Sequence, residues 1–318
     1  MTIHLNRLTA RALPQLSGMP FLTDGGLETT LIFHDGIDLP CFAAFTLLGN
    51  EEGRATVRAY YQRYLDIARE AGSGFILEAP TWRASSDWGA KLGYSDTELD
   101  DINRDAIRLL VELRETNERE SAPIVISGNI GPRGDGYQPG EVMSATQAED
   151  YHARQVSVFA ATDADCVTAM TITNVEEAIG ITRAAAQHDI PAVISFTLET
   201  DGRLPTGQTL AEAVETVDAA TSGGPAYYMI NCAHPSHFDH LAAADGAWRE
   251  RIRGLRANAS RRSHEELDNA EDLDDGNPVE LGEEYAALCR RFPNLTVFGG
   301  CCGTDHRHLS AIARSCIH

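Results

Sequence analysis

The sequence contains little lysine and no long apolar run. Lys91 is the single lysine among 26 basic side chains, which face 47 acidic ones and leave a formal net charge of −21. So negative a balance argues against a broad phosphate-binding surface, and we expect no nucleic-acid partner. No apolar run approaches the ~20 residues that cross a bilayer, and residues 1–21 lack a continuous apolar segment, so we expect neither a membrane partner nor secretion.

Cysteine is sparse and irregularly placed. The seven cysteines are an odd number, and their scatter differs from the regular spacing of a small disulfide-rich secreted scaffold. We therefore expect free thiols and a cytoplasmic location. In a reducing compartment, clustered cysteines more often bind metal or catalyse than form disulfides, which makes Cys301 and Cys302 the first candidates for function.

Short apolar segments rich in β-branched and aromatic residues alternate with helical patterns along the whole chain. Such segments are typical of parallel strands buried on both faces. The predicted strands are Pro20–Thr23, Gly74–Ala79, Ile124–Asn129, Cys166–Thr171, Ala192–Leu198, Tyr227–Cys232, Ile252–Ala257 and Thr296–Gly300. The predicted helices are Glu51–Ala71, Thr97–Glu118, Ala145–Ala161, Asn174–Gln187, Thr209–Ala220, His237–Ala243, Val279–Arg291 and Asp305–Ser315.

Eight strand signals, each followed by a helix signal, predict an α/β protein that closes as a (βα)8 TIM barrel. We expect residues 1–318 to form this barrel as a single domain. A doubly wound sheet is the structural alternative, but neither GxGxxG after the first strand nor GxxxxGK[ST] is present to support a nucleotide-binding fold.

Two connections are longer than the rest. Residues 24–50 follow the first strand, and residues 258–277 follow the seventh and are strongly acidic between Glu265 and Asp275. A charge run of this kind is often a solvated loop. The alternative is a lid or rim over the C-terminal face of the barrel, where the long βα loops gather.

Three cysteines are predicted to meet on that face. Cys232 ends the sixth strand, Cys301 and Cys302 end the eighth, and barrel strands present their carboxyl ends on one side. Adjacent residues of a strand point to opposite faces, so both thiols can serve one site only if the backbone turns, which the glycines at 299, 300 and 303 permit.

Three thiolates without a fourth protein ligand fit Zn²⁺ with an open coordination position, as in a catalytic site. The alternative is a set of buried free cysteines, which are common in protein cores. Four histidines lie nearby in sequence and are better explained as helix-terminal or surface residues: His234, His237, His306 and His308.

Six motifs follow one another along the chain: DGGLETTL (Asp24–Leu31), TWRAS (Thr81–Ser85), GNIGPRGDGY (Gly128–Tyr137), SFT with the following LETDGRLPTGQTLAEAV (Ser195–Val214), INCAHP (Ile230–Pro235) and GGCCGTDHRHL (Gly299–Leu309). In this order they resemble the homocysteine S-methyltransferase family. This family of zinc-dependent barrels includes S-methylmethionine– and betaine–homocysteine methyltransferases and the homocysteine module of cobalamin-dependent methionine synthase.

The resemblance implies that the cysteines at 232, 301 and 302 bind Zn²⁺ as the catalytic centre and that the substrate thiol takes the fourth position. It implies homocysteine as acceptor, methionine as product, and S-methylmethionine or S-adenosylmethionine as donor, with betaine next and a corrinoid less favoured. Asp24 and the backbone N–H groups of Gly25 and Gly26 are expected to hold the amino-acid end of the substrate. Thr81 and Asn231, inside matching motifs, complete the expected substrate-binding set.

One position departs from the family pattern. Many members end strand four in a glutamate that binds the substrate ammonium, whereas this chain has Met170, whose thioether cannot form an ion pair. Glu78 ends strand two, where relatives tend to carry a neutral residue. Since the two strands share a parity in the barrel, we expect both residues to bind substrate, with Glu78 taking over the ammonium contact. The alternative is an acceptor thiol that lacks this ammonium.

Three aromatic residues are candidates for cation–π contact with a cationic donor, or else are core and rim residues: Trp82, Tyr137 and Phe196. Two other functions remain open from the sequence. A zinc hydrolase would need a water-activating base and usually has histidine and carboxylate ligands. A non-catalytic zinc or thiol sensor would keep the thiols without methyl transfer.

Overall fold

The computed structural model describes residues 13–119, 121–270, 272–292 and 294–317. Within them, eight parallel strands pair in chain order and close into a barrel, so the predicted TIM barrel is confirmed. The strands are β1 (Phe21–Leu22), β2 (Gly74–Glu78), β3 (Ile124–Ile130), β4 (Cys166–Ile172), β5 (Ala192–Thr197), β6 (Tyr227–Asn231), β7 (Ile252–Ala257) and β8 (Val297–Gly300). Part of the segment in which we expect no secretion signal, residues 1–12, lies outside the described residues.

In the part of the chain that the structure describes, seven long helices surround the barrel. They are α1 (Glu51–Ala71), α2 (Asp96–Asn117), α3 (Ala145–Ala160), α4 (Val175–Gln187), α5 (Leu210–Thr221), α6 (Pro278–Cys289) and α7 (His306–Cys316). Their starts follow side-chain caps that the sequence contains. Ser95 and Glu98 form a reciprocal capping box at α2, and Asn174 accepts from the N–H of Glu177 at α4. No helix among the described residues is long and apolar enough to cross a membrane.

The connection between β6 and β7 differs from the prediction. In place of a helix over His237–Ala243, the chain forms one α-helical turn at Pro235–Phe238 and a 3-10 turn at Asp239–Ala243. A further turn, Trp248–Arg251, leads into β7. Proline favours a helix start, but the segment ends within two turns of it, and Gly246 then adopts a φ of 134° that interrupts helical geometry.

The two long connections fold into short pieces above the carboxyl ends of the strands. The first contains the turns Leu27–Thr29, Thr30–His34, Pro40–Phe42 and Ala44–Gly49. The second contains the short helix His264–Asp268, which a capping box between Ser263 and Glu266 starts. Both connections are therefore locally ordered, and both border the face on which the cysteines lie.

Helix α7 begins directly after the two adjacent cysteines, at a buried cap. The Asp305 carboxylate accepts from the backbone N–H of Arg307 at 2.8 Å, and His308 Nδ1 lies 3.1 Å from it. Burial alone would raise the pKa of Asp305, but hydrogen bonds from His308 and Arg307 outweigh it and hold that pKa well below its usual range. The charged cap thus stabilises the corner after β8.

We expect Asp305→Ala to lower the free energy of unfolding by about 1–2 kcal/mol, because the first turn of α7 loses its cap. Urea unfolding followed by circular dichroism measures this. Asp305→Asn, which keeps an acceptor oxygen but not the charge, should lose less stability than the alanine variant. An equal loss in both variants would show that the charge rather than the cap is what stabilises α7.

Candidate metal centre and substrate cavity

A cavity of about 320 Å³ opens at the carboxyl ends of the strands. The first long connection, the ends of several strands and the acidic segment after β7 contribute to its walls. Active sites of TIM barrels lie on this face, because eight loops converge there over a packed barrel interior. The cavity is therefore the natural place to look for the predicted chemistry.

Three thiols converge at the inner wall of the cavity. The Sγ atom of Cys232 lies 2.6 Å from that of Cys301 and 3.6 Å from that of Cys302, and all three lie within 4.8 Å of one another. Across the described ranges of the chain, this is the one group of three or more His, Cys, Asp or Glu residues whose ligand atoms come together in this way. The predicted convergence of β6 and β8 is present.

Backbone geometry aims these thiols. Cys232 follows β6 with a φ of 53°, a left-handed conformation that few side-chain-bearing residues adopt. After β8, the Cys301 N–H donates to the carbonyl of Ala257 at 2.8 Å, and the Cys302 N–H donates to Asn258 Oδ1 at 3.1 Å. The chain thus turns at 301–302, and both adjacent thiols reach one site.

The glycines around the two cysteines act differently from one another. Only Gly303 has a positive φ, at 77°. Gly299 and Gly300 continue β8, and a Cβ atom there would collide with Thr23 and Thr304 respectively. The expected turn therefore comes from Gly303, whereas the preceding pair allows close approach of the first strand and of the corner before α7.

The donor set fits a thiophilic metal ion. Tetrahedral coordination with metal–sulfur bonds near 2.3 Å separates sulfurs by about 3.8 Å, close to the 3.6 Å between Cys232 and Cys302. The Cys232–Cys301 pair must open by about 1 Å to match. The neighbouring histidines are engaged elsewhere: His234 with Glu284, His237 with the carbonyl of Arg261, and His308 with Asp305.

The three thiols are electrostatically coupled. Hydrogen bonding from Cys232 lowers the pKa of Cys301 well below its ordinary value, and the same contact raises the pKa of Cys232. One thiolate can therefore form readily, but a second and third beside it repel the first. A bound cation removes this obstacle, since a metal ion deprotonates coordinating thiols outright.

Asn231, a predicted substrate residue, holds the cysteine cluster from below. Its Oδ1 accepts from the Thr171 N–H at 2.9 Å and from Ser195 Oγ at 2.6 Å. Its Nδ2 donates to Thr171 Oγ1 at 2.8 Å and faces Cys301 Sγ at 3.9 Å. These bonds occupy the amide within the protein, so Asn231 lines the cavity chiefly as a residue that orients β4, β5 and Cys301.

Tyr137 lines the cavity and contacts the cluster. Its Oη lies 3.3 Å from Cys302 Sγ and 3.7 Å from Cys232 Sγ, and burial raises its pKa, so the phenol stays protonated and can donate to a thiolate. The ring stacks on His264 with centroids 4.0 Å apart. The imidazole in turn lies 2.7 Å from the carbonyl oxygen of Cys232. The sequence analysis did not identify His264, because it lies within the acidic segment after β7 and matches no motif there.

Asp24 and the two glycines after it are placed differently from the expectation. The Asp24 carboxylate pairs with Arg256 at 2.7 Å and accepts from Tyr60 at 3.0 Å. The Gly26 N–H donates to the carbonyl of Thr304 at 3.0 Å, because this loop closes against the corner before α7. Asp24, Gly25 and Gly26 all line the cavity, but the Gly26 N–H is not available to a substrate carboxylate.

Glu78 and Met170 both line the cavity, as their shared strand parity predicts. Burial raises the pKa of Glu78 to about 7, although Arg256 and the hydroxyl of Ser127 oppose the shift. Among the described residues, Glu78 Oε2 and Asn129 Oδ1 are buried acceptors without a hydrogen-bond partner. Both side chains face this cavity, so an incoming donor group has two acceptors to satisfy.

Three further predicted residues divide between wall and core. Thr81 is fully buried and donates to the carbonyl of Asn129 at 2.7 Å, so it supports β3. It is not among the described residues that line the cavity, and its substrate contact stays a prediction. Trp82 lines the cavity. Phe196 is buried in the core, stacks on Tyr228 and is not among the described residues that line the cavity.

The acidic segment forms part of the cavity wall. Leu267, Asp268 and residues 272–274 face the cavity, which agrees with the rim alternative for this connection. The first long connection adds the half-exposed rings of Phe33 and Phe42 to this wall. It also adds Glu28, and burial raises the pKa of this carboxyl to about 7. Acidic and aromatic groups therefore surround the entrance.

Comparison with known proteins finds similar sequences. The family model for homocysteine S-methyltransferase matches residues 21–316. Homocysteine S-methyltransferase 1 of Brassica oleracea var. italica is 26% identical over 69% of this chain and 70% of its own length. Homocysteine S-methyltransferase 3 of Arabidopsis thaliana is 24% identical over 92% of this chain and 88% of its own.

Solved structures share the fold. The metallated homocysteine methyltransferase MmuM of Escherichia coli superposes with a TM-score of 0.71 at 19% identity, covering 93% of this chain and 96% of that one. Its oxidised form gives a TM-score of 0.73 at 20% identity, covering 96% and 99%.

Removal of one thiol should abolish tight metal binding. We expect Cys302→Ala to weaken zinc affinity by a factor of about 100 or more, since even outer-shell changes commonly cost 10–100-fold. Competition with a chromogenic chelator measures this. Cys289→Ala, which removes a half-buried thiol on α6, is the matched control and should bind as the parent does. Equal affinity in all three proteins would exclude the cluster as the metal centre.

Proposed function

Because this chain belongs to the homocysteine S-methyltransferase family, we propose that it methylates homocysteine with zinc as its metal, using a sulfonium donor. S-Methylmethionine or S-adenosylmethionine supplies the methyl group, and the product is methionine. The chain is a methyltransferase, and the convergence of its three thiols at the cavity wall is the observation that carries the finer proposal. Free thiols at this centre suit a reducing compartment, so we place the enzyme in the cytoplasm.

The donor set favours zinc. Three soft thiolates, with no fourth protein ligand among the described residues, leave an open position of the kind that catalytic zinc sites keep. When bound there, zinc supplies a thiolate form of the substrate at neutral pH, since coordination lowers the pKa of a thiol far below ~8.5.

The protein's own residues hold the reacting groups. Three cysteine thiolates place negative charge around the acceptor sulfur and keep it electron-rich, while Tyr137 and Asn231 fix two of them. The acceptor sulfur forms its bond to the methyl carbon as the donor's carbon–sulfur bond breaks, and the breaking pair stays on the donor sulfur. That sulfur leaves as a neutral thioether, so catalysis rests mainly on orientation and exclusion of water.

The amino group of the acceptor has a fitting partner in this cavity. An ammonium carries three N–H donors, and the buried oxygens Glu78 Oε2 and Asn129 Oδ1 both lack a partner among the described residues. Asp24 is already neutralised by Arg256, and Met170 offers only a thioether. We therefore assign ammonium binding to Glu78, with Asn129 beside it.

Glu78→Gln should raise the KM for homocysteine by about 10- to 100-fold, because a charge-assisted hydrogen bond is lost. It should leave the KM for 4-mercaptobutyrate, which is homocysteine without the amino group, nearly unchanged. Steady-state methyl transfer at pH 8 measures both constants. Glu215→Gln, on an exposed position of α5, is the control variant. Equal KM changes for both thiols would contradict the assignment.

The same contact predicts a pH dependence. Ammonium binding requires the Glu78 carboxylate, and its pKa lies at about 7, so homocysteine affinity should fall as the pH drops through 7. Deprotonation of the acceptor thiol contributes in the same direction. KM measurements between pH 6 and 8 separate the two effects. The pH dependence due to Glu78 should be lost in the glutamine variant and should be absent with 4-mercaptobutyrate.

A donor panel tests the reaction itself. The zinc-loaded protein is incubated with homocysteine and, separately, S-methylmethionine, S-adenosylmethionine or betaine, and methionine is quantified by mass spectrometry. We expect a sulfonium donor to give methionine and Cys232→Ala to abolish it. Zinc binding without methyl transfer to homocysteine or any other thiol offered would instead support a non-catalytic thiol-binding barrel.

A further inference from the structure

Two buried arginines line the cavity, and they differ in how fully they are paired. Arg256 bonds through all three guanidinium nitrogens, to Asp24, Thr23, the carbonyl of Gly25 and the carbonyl of Gly300. Arg83, only 4% exposed, makes two hydrogen bonds in the described structure, and its Nε has no partner there. A guanidinium carries five N–H donors, so much of its capacity is unused.

The environment of Arg83 fixes the plane of its guanidinium and gives it one carboxylate in direct contact. Its guanidinium carbon lies 4.0 Å from the ring centroid of Trp82 and 3.6 Å from that of Trp88. One Nη donates to the carbonyl of Gly134 at 3.1 Å, and the other meets Asp135 at 3.3 Å. The Asp135 side chain is 45% exposed, so water screens this pair.

A buried and incompletely hydrogen-bonded charge is costly for a fold to maintain. The two indole rings recover part of that cost through cation–π contact, but they leave the edge of the guanidinium unpaired. A carboxylate fits such an edge with two parallel hydrogen bonds. A phosphate dianion fits less well, because Glu28 and Asp135 lie in the same wall.

We propose that Arg83 binds the carboxylate of the methyl donor, so that the donor is a zwitterion with a cationic methyl-bearing centre and a carboxylate tail. This inference rests on the proposed function. The acceptor has its sulfur at the cysteines and its ammonium at Glu78, at the ends of strands. Arg83 lies on the loop after β2. Its neighbour Trp82 packs beside Gly136, and the next residue, Tyr137, contacts Cys302.

In this arrangement the donor carboxylate and the acceptor ammonium bind to different charged side chains, Arg83 and Glu78. The donor's cationic centre faces the thiolates beside Tyr137, and its tail points along the Trp82 side toward Arg83. Arg83 therefore positions the donor and takes no part in bond making. It also selects against sulfonium compounds that lack a carboxylate, because these leave the guanidinium unpaired.

The test compares matched sulfonium donors. S-Methylmethionine and dimethylsulfoniopropionate carry a carboxylate, whereas trimethylsulfonium does not. We expect Arg83→Gln to raise the KM for both carboxylated donors at least tenfold, with the trimethylsulfonium KM and the homocysteine KM changed less than twofold. Arg83→Lys, which keeps the charge but not the paired geometry, should fall between. The control is Arg133→Gln. Arg133 is an exposed residue of the loop after β3, and its guanidinium pairs with Asp87.

Each other outcome contradicts the proposal. A rise in the homocysteine KM alone would assign Arg83 to the acceptor. Equal losses with all three sulfonium donors, together with a lowered Tm, would make Arg83 a purely structural residue. Unchanged constants in both variants would remove it from the donor site.

A binding measurement separates this inference from the proposed function. Titration calorimetry of the zinc-loaded protein with dimethylsulfoniopropionate needs no acceptor and no turnover. Binding that Arg83→Gln weakens at least tenfold, without methyl transfer to homocysteine, would leave the inference standing and overturn the proposed reaction. Methyl transfer with donor binding indifferent to Arg83 would do the reverse.

Discussion

The buried ion pair between Arg256 and Asp24 is the constraint on which the site depends. It joins the end of β7 to the end of β1. The same guanidinium also donates to the carbonyl of Gly300 at 3.1 Å, directly before Cys301. Three strand ends thus share one cation where the barrel closes. Loss of one partner would leave a buried charge uncompensated, which typically costs about 3–5 kcal/mol.

That closure also distributes charge within the cavity. Asp24 is neutralised inside the fold, whereas Glu78 and Glu28 line the cavity with pKa values that burial raises to about 7. The thiols stand opposite, where only one ionises readily without a cation.

The sequence predicts the parts of this site that depend on strand ends, because a (βα)8 pattern fixes which side each end faces. It therefore finds the three cysteines, Glu78 and Met170. It does not find features that depend on side-chain pairing across distant loops. Arg256 reads as one polar residue in a strand, His264 as part of an acidic loop, and the engaged Gly26 N–H depends on contact with Thr304. The helix predicted after β6 is wrong for a local reason. The segment between the proline that starts it and the glycine that follows is too short for a continuous helix.

The left-handed backbone at Cys232 has a kinetic consequence. That conformation costs roughly 1–2 kcal/mol for a residue with a side chain, and here the pairing of β6 with β7 maintains it, through the Cys232 N–H bond to the carbonyl of Arg256 at 3.1 Å. The strain is thus carried by the folded barrel and does not have to be created when a ligand arrives. A metal ion that binds at this centre would not have to wait for a rearrangement of the main chain at Cys232.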